Sequence, residues 1–200
     1  MTSTPLLLVL CGAGEDGSWP WRSRPEAGRA VVGAALFELA VARRLELSDD
    51  RVVPYGGGLT HDTVPDEVLR RVGAAGRERP PWEWVESLGP GVLRLVEEEC
   101  AGLGTLGERV SEARARVRDA AAAPDGSDAS ALAAAVLLVA ARQGHLVRPA
   151  ARPLDRVRRA AEAVALLELV APRSGHALRR ASAAVRRSIA VSAAALAFLG

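Results

Sequence analysis

Between Arg29 and Leu47 the chain reads RAVVGAALFELAVARRLEL, and this stretch limits what the remainder can be. Val32, Leu36, Leu39 and Val41 stand among the small Ala34, Ala35 and Ala40, and the only charges before its end are Arg29 and Glu38. A helix of that composition has almost no polar side to turn to water, so it is expected at the centre of a core with other elements packed around it. Ser48-Asp49-Asp50 then marks a turn, Arg51-Val52-Val53 a short β-prone run, and Pro54 to Gly58 a breaker that closes any strand. The chain has 200 residues, 49% of them hydrophobic, enough to bury one sizeable core, so a single domain over 1–200 is expected.

Charge is unevenly spread. Residues 1–106 carry 11 arginines against 16 acids, and residues 107–200 carry 15 against 8. The basic half is a candidate surface for phosphate. Arginine supplies every long cation and lysine is absent, a pattern expected of a GC-rich coding sequence, so the choice of Arg over Lys carries no functional weight. Cys11 and Cys100 lie among apolar or helical residues without ligand spacing, and are expected as buried free thiols in a reducing cytosol. The apolar run Leu6 to Cys11 lacks the basic flank of a secretory signal, and Ser188 to Gly200 is too short to span a bilayer, so any membrane contact is expected to be peripheral, from a cytoplasmic location.

Taken in order, Pro5 to Cys11 is a buried strand or helix that periodicity cannot assign. Gly12 to Glu26 is a loop holding Trp19-Pro20-Trp21-Arg22, whose indoles must either pin the loop to the core or meet a partner. Asp62, Thr63 and Pro65 open a helix through Val72, and Pro81 opens another over Trp82 to Leu88. Gly89-Pro90-Gly91 is read as an interruption before a helix with Val92, Leu95, Val96 and Cys100 inward and Glu97-Glu98-Glu99 as a solvated acidic face. A helix over Glu108 to Ala122 and a loop over Pro124 to Asp128 precede Ala129 to Leu146, which is apolar all round and expected as the second axis of the core. Two amphipathic helices follow, Leu154 to Val170 and Gly175 to Leu199. On the last, Leu178, Val185, Ile189 and Leu196 form the apolar stripe, while Arg179-Arg180 and Arg186-Arg187, seven apart, share a flank.

Chemistry-bearing patterns are missing from this order. His61, His145 and His176 have no paired metal-ligand spacing, and the run GGGLTHDT has neither the Lys-Ser/Thr ending of a P-loop nor dinucleotide-binding spacing. There is no Gly-x-Ser-x-Gly elbow, and Cys100 beside three glutamates would be a poor nucleophile. The expectation is a non-enzymatic protein without catalytic residues, metal or cofactor. A DNA-reading role is disfavoured too, because the apolar helix would present no polar side chains to base edges.

Several short segments, in their order, resemble the Golgi phosphoprotein 3 family. Gly33 to Ala40 with Arg43-Arg44-Leu45 is similar to its Gly-x-x-Leu-x-Glu-Leu-Ala and following basic turn. Pro65-Asp66-Glu67-Val68-Leu69, Pro80-Pro81 with Trp84 to Leu88, Gly104-Thr105-Leu106 and the apolar helix from Ala129 complete the series. The resemblance implies a divergent bacterial member with a mainly α fold: a single globular helical domain around buried central helices. The hydrophobic β-hairpin that the family places after the position of Leu106 is expected to be shortened or lost.

That resemblance also implies a ligand, phosphatidylinositol 4-phosphate or another anionic lipid headgroup, at a peripheral site on the cytoplasmic face of a membrane. Counting from Gly33, the family's loop tryptophan falls near Ser23, with Trp21 two residues away and Arg22 beside it. Its helix arginine falls on Val32, with Arg29 one turn earlier, and its later arginine pair on Pro90 and Leu93, with Arg94 adjacent. Trp21, Arg22, Arg29 and Arg94 are therefore the candidate headgroup contacts. The alternative is a protein–protein adaptor or self-associating subunit that has lost lipid binding.

Overall fold

The computed structural model of the chain describes residues 2–197 except 17, 20, 22, 56–57, 104 and 125–127. Arg22, the centre of the loop expected over 124–128, two glycines of the 56–63 loop and the end of the last helix lie outside the described residues. Those described form eight α-helices and one antiparallel pair of strands, the mainly α domain expected. The helices are α1 (Thr4–Gly12), α2 (Arg24–Val41), α3 (Thr63–Ala74), α4 (Pro81–Ala101), α5 (Leu106–Ala122), α6 (Ala129–Ala140), α7 (Pro153–Val170) and α8 (Pro172–Ala197). Strands β1 (Leu45–Leu47) and β2 (Val52–Pro54) pair with Leu45 opposite Pro54 and Leu47 opposite Val52. No described helix is long and apolar enough to cross a membrane.

Helix α2 is the axis. Val31, Val32, Leu36 and Leu39 are wholly buried, and α1, α3, α4, α6 and α8 all pack on it. It starts five residues earlier than its apolar stretch suggests, because Ser23 caps it through the Glu26 amide at 3.4 Å and Pro25 is set for the first turn. It also ends earlier, at Val41, which corrects the expectation of one helix to Leu47. Arg43 turns into the left-handed region (φ 56°), and the Arg44 amide closes back on the Leu39 carbonyl at 2.8 Å, a helix-ending geometry. Leu45 and Leu47 then point inward from a strand instead.

Helix α1 settles the ambiguity left by Pro5 to Cys11. Its neighbours are helices with no strand edge to extend, and its first amide, on Thr4, donates 2.5 Å to the Glu38 carboxylate of α2. Burial raises the Glu38 pKa. Helix α6 is buried nearly all round as expected, though it stops at Ala140 and a 3-10 turn, Gly144–Leu146, completes the run to Leu146. Between Ala101 and Leu106 the described residues hold no strand, in keeping with the shortened or lost hairpin.

The largest departure is α4, which runs unbroken through Gly89-Pro90-Gly91 where two helices were expected. Pro90 forfeits one helical hydrogen bond at a cost of about 3 kcal/mol. Trp84, Val85 and Leu88 before it and Val92, Leu93 and Val96 after it are buried, each contributing on the order of 1.5–3 kcal/mol, so packing on both sides carries the helix across. The glycine before the proline has its own role. A Cβ placed on Gly28 of α2 would lie 2.5 Å from the Gly89 carbonyl oxygen, so the two backbones meet in van der Waals contact.

Gly28→Ala should therefore force α2 and α4 apart and lower stability by about 2–3 kcal/mol. Gly73→Ala, in α3 with nothing within 4 Å of the new methyl, should raise it by about 0.5–1 kcal/mol. Urea titrations of the two variants against wild type read both signs.

Candidate functional site

The contact between α2 and α4 decides where the candidate side chains go. Just before α2, Trp21 is 9% exposed, its ring pressed against Gly12 of α1 so closely that a Cβ there would fall inside it, at 1.9 Å. Its indole N–H donates to Glu97 of α4 at 3.3 Å. Arg24 in the first turn of α2 donates to the other Glu97 oxygen at 2.5 Å. Glu97 is thus 8% exposed and not part of a solvated acidic face, which corrects the reading of Glu97-Glu98-Glu99. Its burial is tolerated because a guanidinium and an indole satisfy its oxygens.

Past the crossing, Arg29 holds Glu86 of α4 with its fork, Nε at 3.2 Å and Nη2 at 2.8 Å, and Nη2 also donates to Ser192 of α8 at 2.6 Å. Burial alone would raise the Glu86 pKa, but hydrogen bonds from Ser188, Arg29 and Ser192 outweigh it and hold the carboxyl below its usual range. This cluster ties three helices at one point. Arg94 stands apart, its side chain 77% exposed and 3.5 Å from Glu98 one turn on.

The structure thus places Trp21 and Arg29 on one side of α4 at two levels. Glu97 and Glu86 are eleven residues apart, three helical turns or about 16 Å. Arg94 reaches solvent between these levels, and Arg22 lies outside the described residues. Each described guanidinium here already has a carboxylate. Three grooves, of about 380, 420 and 480 Å³, are lined by other residues.

Sequence reading missed Arg24, Glu86 and Glu97. The spacing of eleven between the two glutamates was the available signal, hidden once Pro90 was taken as a break. The basic flank of α8 also divides. Arg179 pairs with Glu168 of α7 and Arg186 lines the furrow between these helices, whereas Arg180 donates to the Leu47 carbonyl at 2.7 Å and Arg187 lies 5.5 Å over the Trp82 ring.

Cys11 and Cys100 are buried free thiols, both pushed up to about 12 by burial, with Glu99 and Glu97 adding to the effect at Cys100. Among the described residues, no group of three or more His, Cys, Asp or Glu side chains could hold a metal ion.

Glu86→Gln leaves the nearly buried Arg29 without its counter-charge and should cost about 1–2 kcal/mol at neutral pH, a fall in Tm of a few degrees. Because the folded-state pKa of Glu86 lies below the ordinary 4.5, its contribution is full above that value and lost as pH falls beneath it. The gap between wild-type and variant Tm should accordingly close in acid, which a pH series of thermal melts measures.

Compared with models of known families, the chain matches Golgi phosphoprotein 3 (GPP34) over residues 6–190, from the first turn of α1 to the last third of α8. No curated protein matches it. With nearly the whole domain inside the match, and the helical order implied by its motifs in place, the chain belongs to the Golgi phosphoprotein 3 (GPP34) family.

Proposed function

We propose that the protein is a non-enzymatic binding protein that engages phosphatidylinositol 4-phosphate or another anionic lipid headgroup, peripherally, on the cytoplasmic face of a membrane. Its proposed contacts are Trp21, Arg22, Arg29 and Arg94, joined by Arg24. The observation that supports this reading is the set of arginines at the α2–α4 face, Arg24 and Arg29 brought against α4 by α2 and Arg94 on α4 itself, each held by a carboxylate. A phosphate offers a guanidinium fork the same paired oxygens, so a headgroup would bind by replacing a glutamate that now stands in its place. Arg24 and Arg94, 53% and 77% exposed, are the most open to such exchange, while Arg29 at 11% offers a headgroup the least surface of the three. Exchange of one anion for another yields modest affinity that falls with salt.

The same pairing favours a second reading, a protein–protein adaptor or self-associating subunit without lipid affinity, since a guanidinium satisfied internally has less to gain from a ligand.

Cosedimentation with phosphatidylcholine vesicles, with and without phosphatidylinositol 4-phosphate, separates the two. The first reading expects retention on the anionic vesicles in low salt and several-fold loss with Arg24→Ala/Arg94→Ala. Equal behaviour on both vesicles, with light scattering reporting a dimer or larger species, would leave the second.

A further inference from the structure

In a different part of the molecule, two guanidinium groups make no ion pair among the described residues. Where α2 gives way to β1 and α8 begins, a groove of about 420 Å³ is lined by Arg43, Arg173 and Arg180, with His176, Tyr55 and Glu46 on its walls. We propose that this groove is a binding site for a phosphomonoester, the chemistry shared by a monoester lipid headgroup and a small phosphorylated compound. It lies at the far end of α2, roughly 20 Å along the helix from Arg29, and does not depend on the α2–α4 face.

Charge is the first argument. Arg43 and Arg173 make no ion pair among the described residues, unlike Arg24, Arg29 and Arg94. Arg180 is positioned by the Leu47 carbonyl at 2.7 Å, and its other neighbour, Asp49, is 3.9 Å away with a 90% exposed side chain, so water screens most of that attraction. Glu46 is the one carboxylate on the wall, and the Tyr55 hydroxyl donates to it at 3.2 Å. Arg43, Arg173 and Arg180, set against the engaged Glu46 and the exposed Asp49, leave an excess of positive charge that the paired oxygens of a phosphate match. His176 leans the other way, with Nε2 3.9 Å from Glu168, and is assigned only to the wall.

Backbone placement is the second. Helix α8 opens at Pro172 with no acid in its first turn, and Arg173 of that turn lines the groove, so the positive end of a 26-residue helix adds to the arginines. Arg43 occupies the left-handed position that ends α2, at φ 56°, where glycine is the residue of least strain. A long cation stands there instead, on the wall of the groove, and such local departures from the low-strain choice concentrate at binding sites. The volume falls within the range of small-molecule sites.

The arrangement also supplies a clean test, because Arg43→Gly removes a guanidinium while relieving the backbone, and Arg173→Gln changes an exposed side chain. Wild type and the double variant are titrated calorimetrically with glycerol 3-phosphate and incubated with vesicles containing phosphatidic acid, a monoester, or phosphatidylglycerol, a diester of like sign. The proposal expects wild type to take the monoester over the diester and the double variant to bind it at least tenfold more weakly, with an unchanged or raised Tm. Binding of glycerol 3-phosphate but not phosphatidic acid vesicles supports the site with a small phosphorylated ligand. Vesicle binding displaced by glycerol 3-phosphate supports it with a lipid. Equal binding by wild type and double variant, or none by wild type, overturns it. Vesicle binding lost in Arg24→Ala/Arg94→Ala and untouched in the double variant overturns it while leaving the α2–α4 reading in place.

Discussion

At the crossing of α2 and α4, Gly28 and Gly89 bring main chain against main chain, and the placement of charge in this half of the molecule follows from that contact. Two helices so close leave no room for long side chains at the crossing itself. The arginines of α2 on either side of it must reach along the partner helix, and α4 answers with a glutamate at each end, Glu97 for Arg24 and Glu86 for Arg29. Tight apolar packing in the middle and charge-assisted bonds at the flanks divide the work. The first fixes the distance, and the second fixes the register, because sliding either helix by one turn would strand a half-buried carboxylate.

The same contact explains why a proline is tolerated one residue from it. A break at Pro90 would free α4 to pivot about Gly89 and would separate Glu86 from Glu97, which together hold α2, the tryptophan loop and, through Ser188 and Ser192, α8. The loss of one backbone hydrogen bond is small against six buried side chains and two ion-pair clusters. Glycine and proline are the strongest local punctuation in a sequence, but their meaning here is tertiary. Gly89 serves close approach and Pro90 sits in a helix held from both sides.

Much of the fold was legible for that reason and some was not. Helices whose apolar residues fall in a stripe, such as α3 and α8, announce themselves by the spacing of Val68, Leu69 and Val72 or Leu178, Val185 and Ile189. Helices buried on all sides give only composition, so α2 and α6 were recognised as core while their ends were misplaced. Val41 is followed by a left-handed arginine where the usual signal would be glycine, and the strand Leu45–Leu47 was absorbed into the helix before it. Glu97 was taken for surface because its neighbours Glu98 and Glu99 are. Its two partners, Trp21 and Arg24, are more than seventy residues away in sequence, and no local pattern reports them.

What separates the two arginine sites is the state of their charges before any ligand arrives. On the α2–α4 face an incoming phosphate must compete with carboxylates that already hold short charge-assisted bonds, and displacing one leaves that glutamate to be rehydrated, so the net gain is the difference of two similar terms. In the groove at the start of α8, two guanidiniums have no such partner among the described residues, and their field is offset only by the engaged Glu46, the exposed Asp49, solvent and salt. Membership in a family fixes the scaffold and leaves the ligand to the local arrangement of side chains. In this chain the scaffold has kept its central helices, while its C-terminal half carries the surplus of arginine. Between these two places, an incoming phosphate meets guanidinium groups without a carboxylate to displace where α2 ends, and must displace one where it begins.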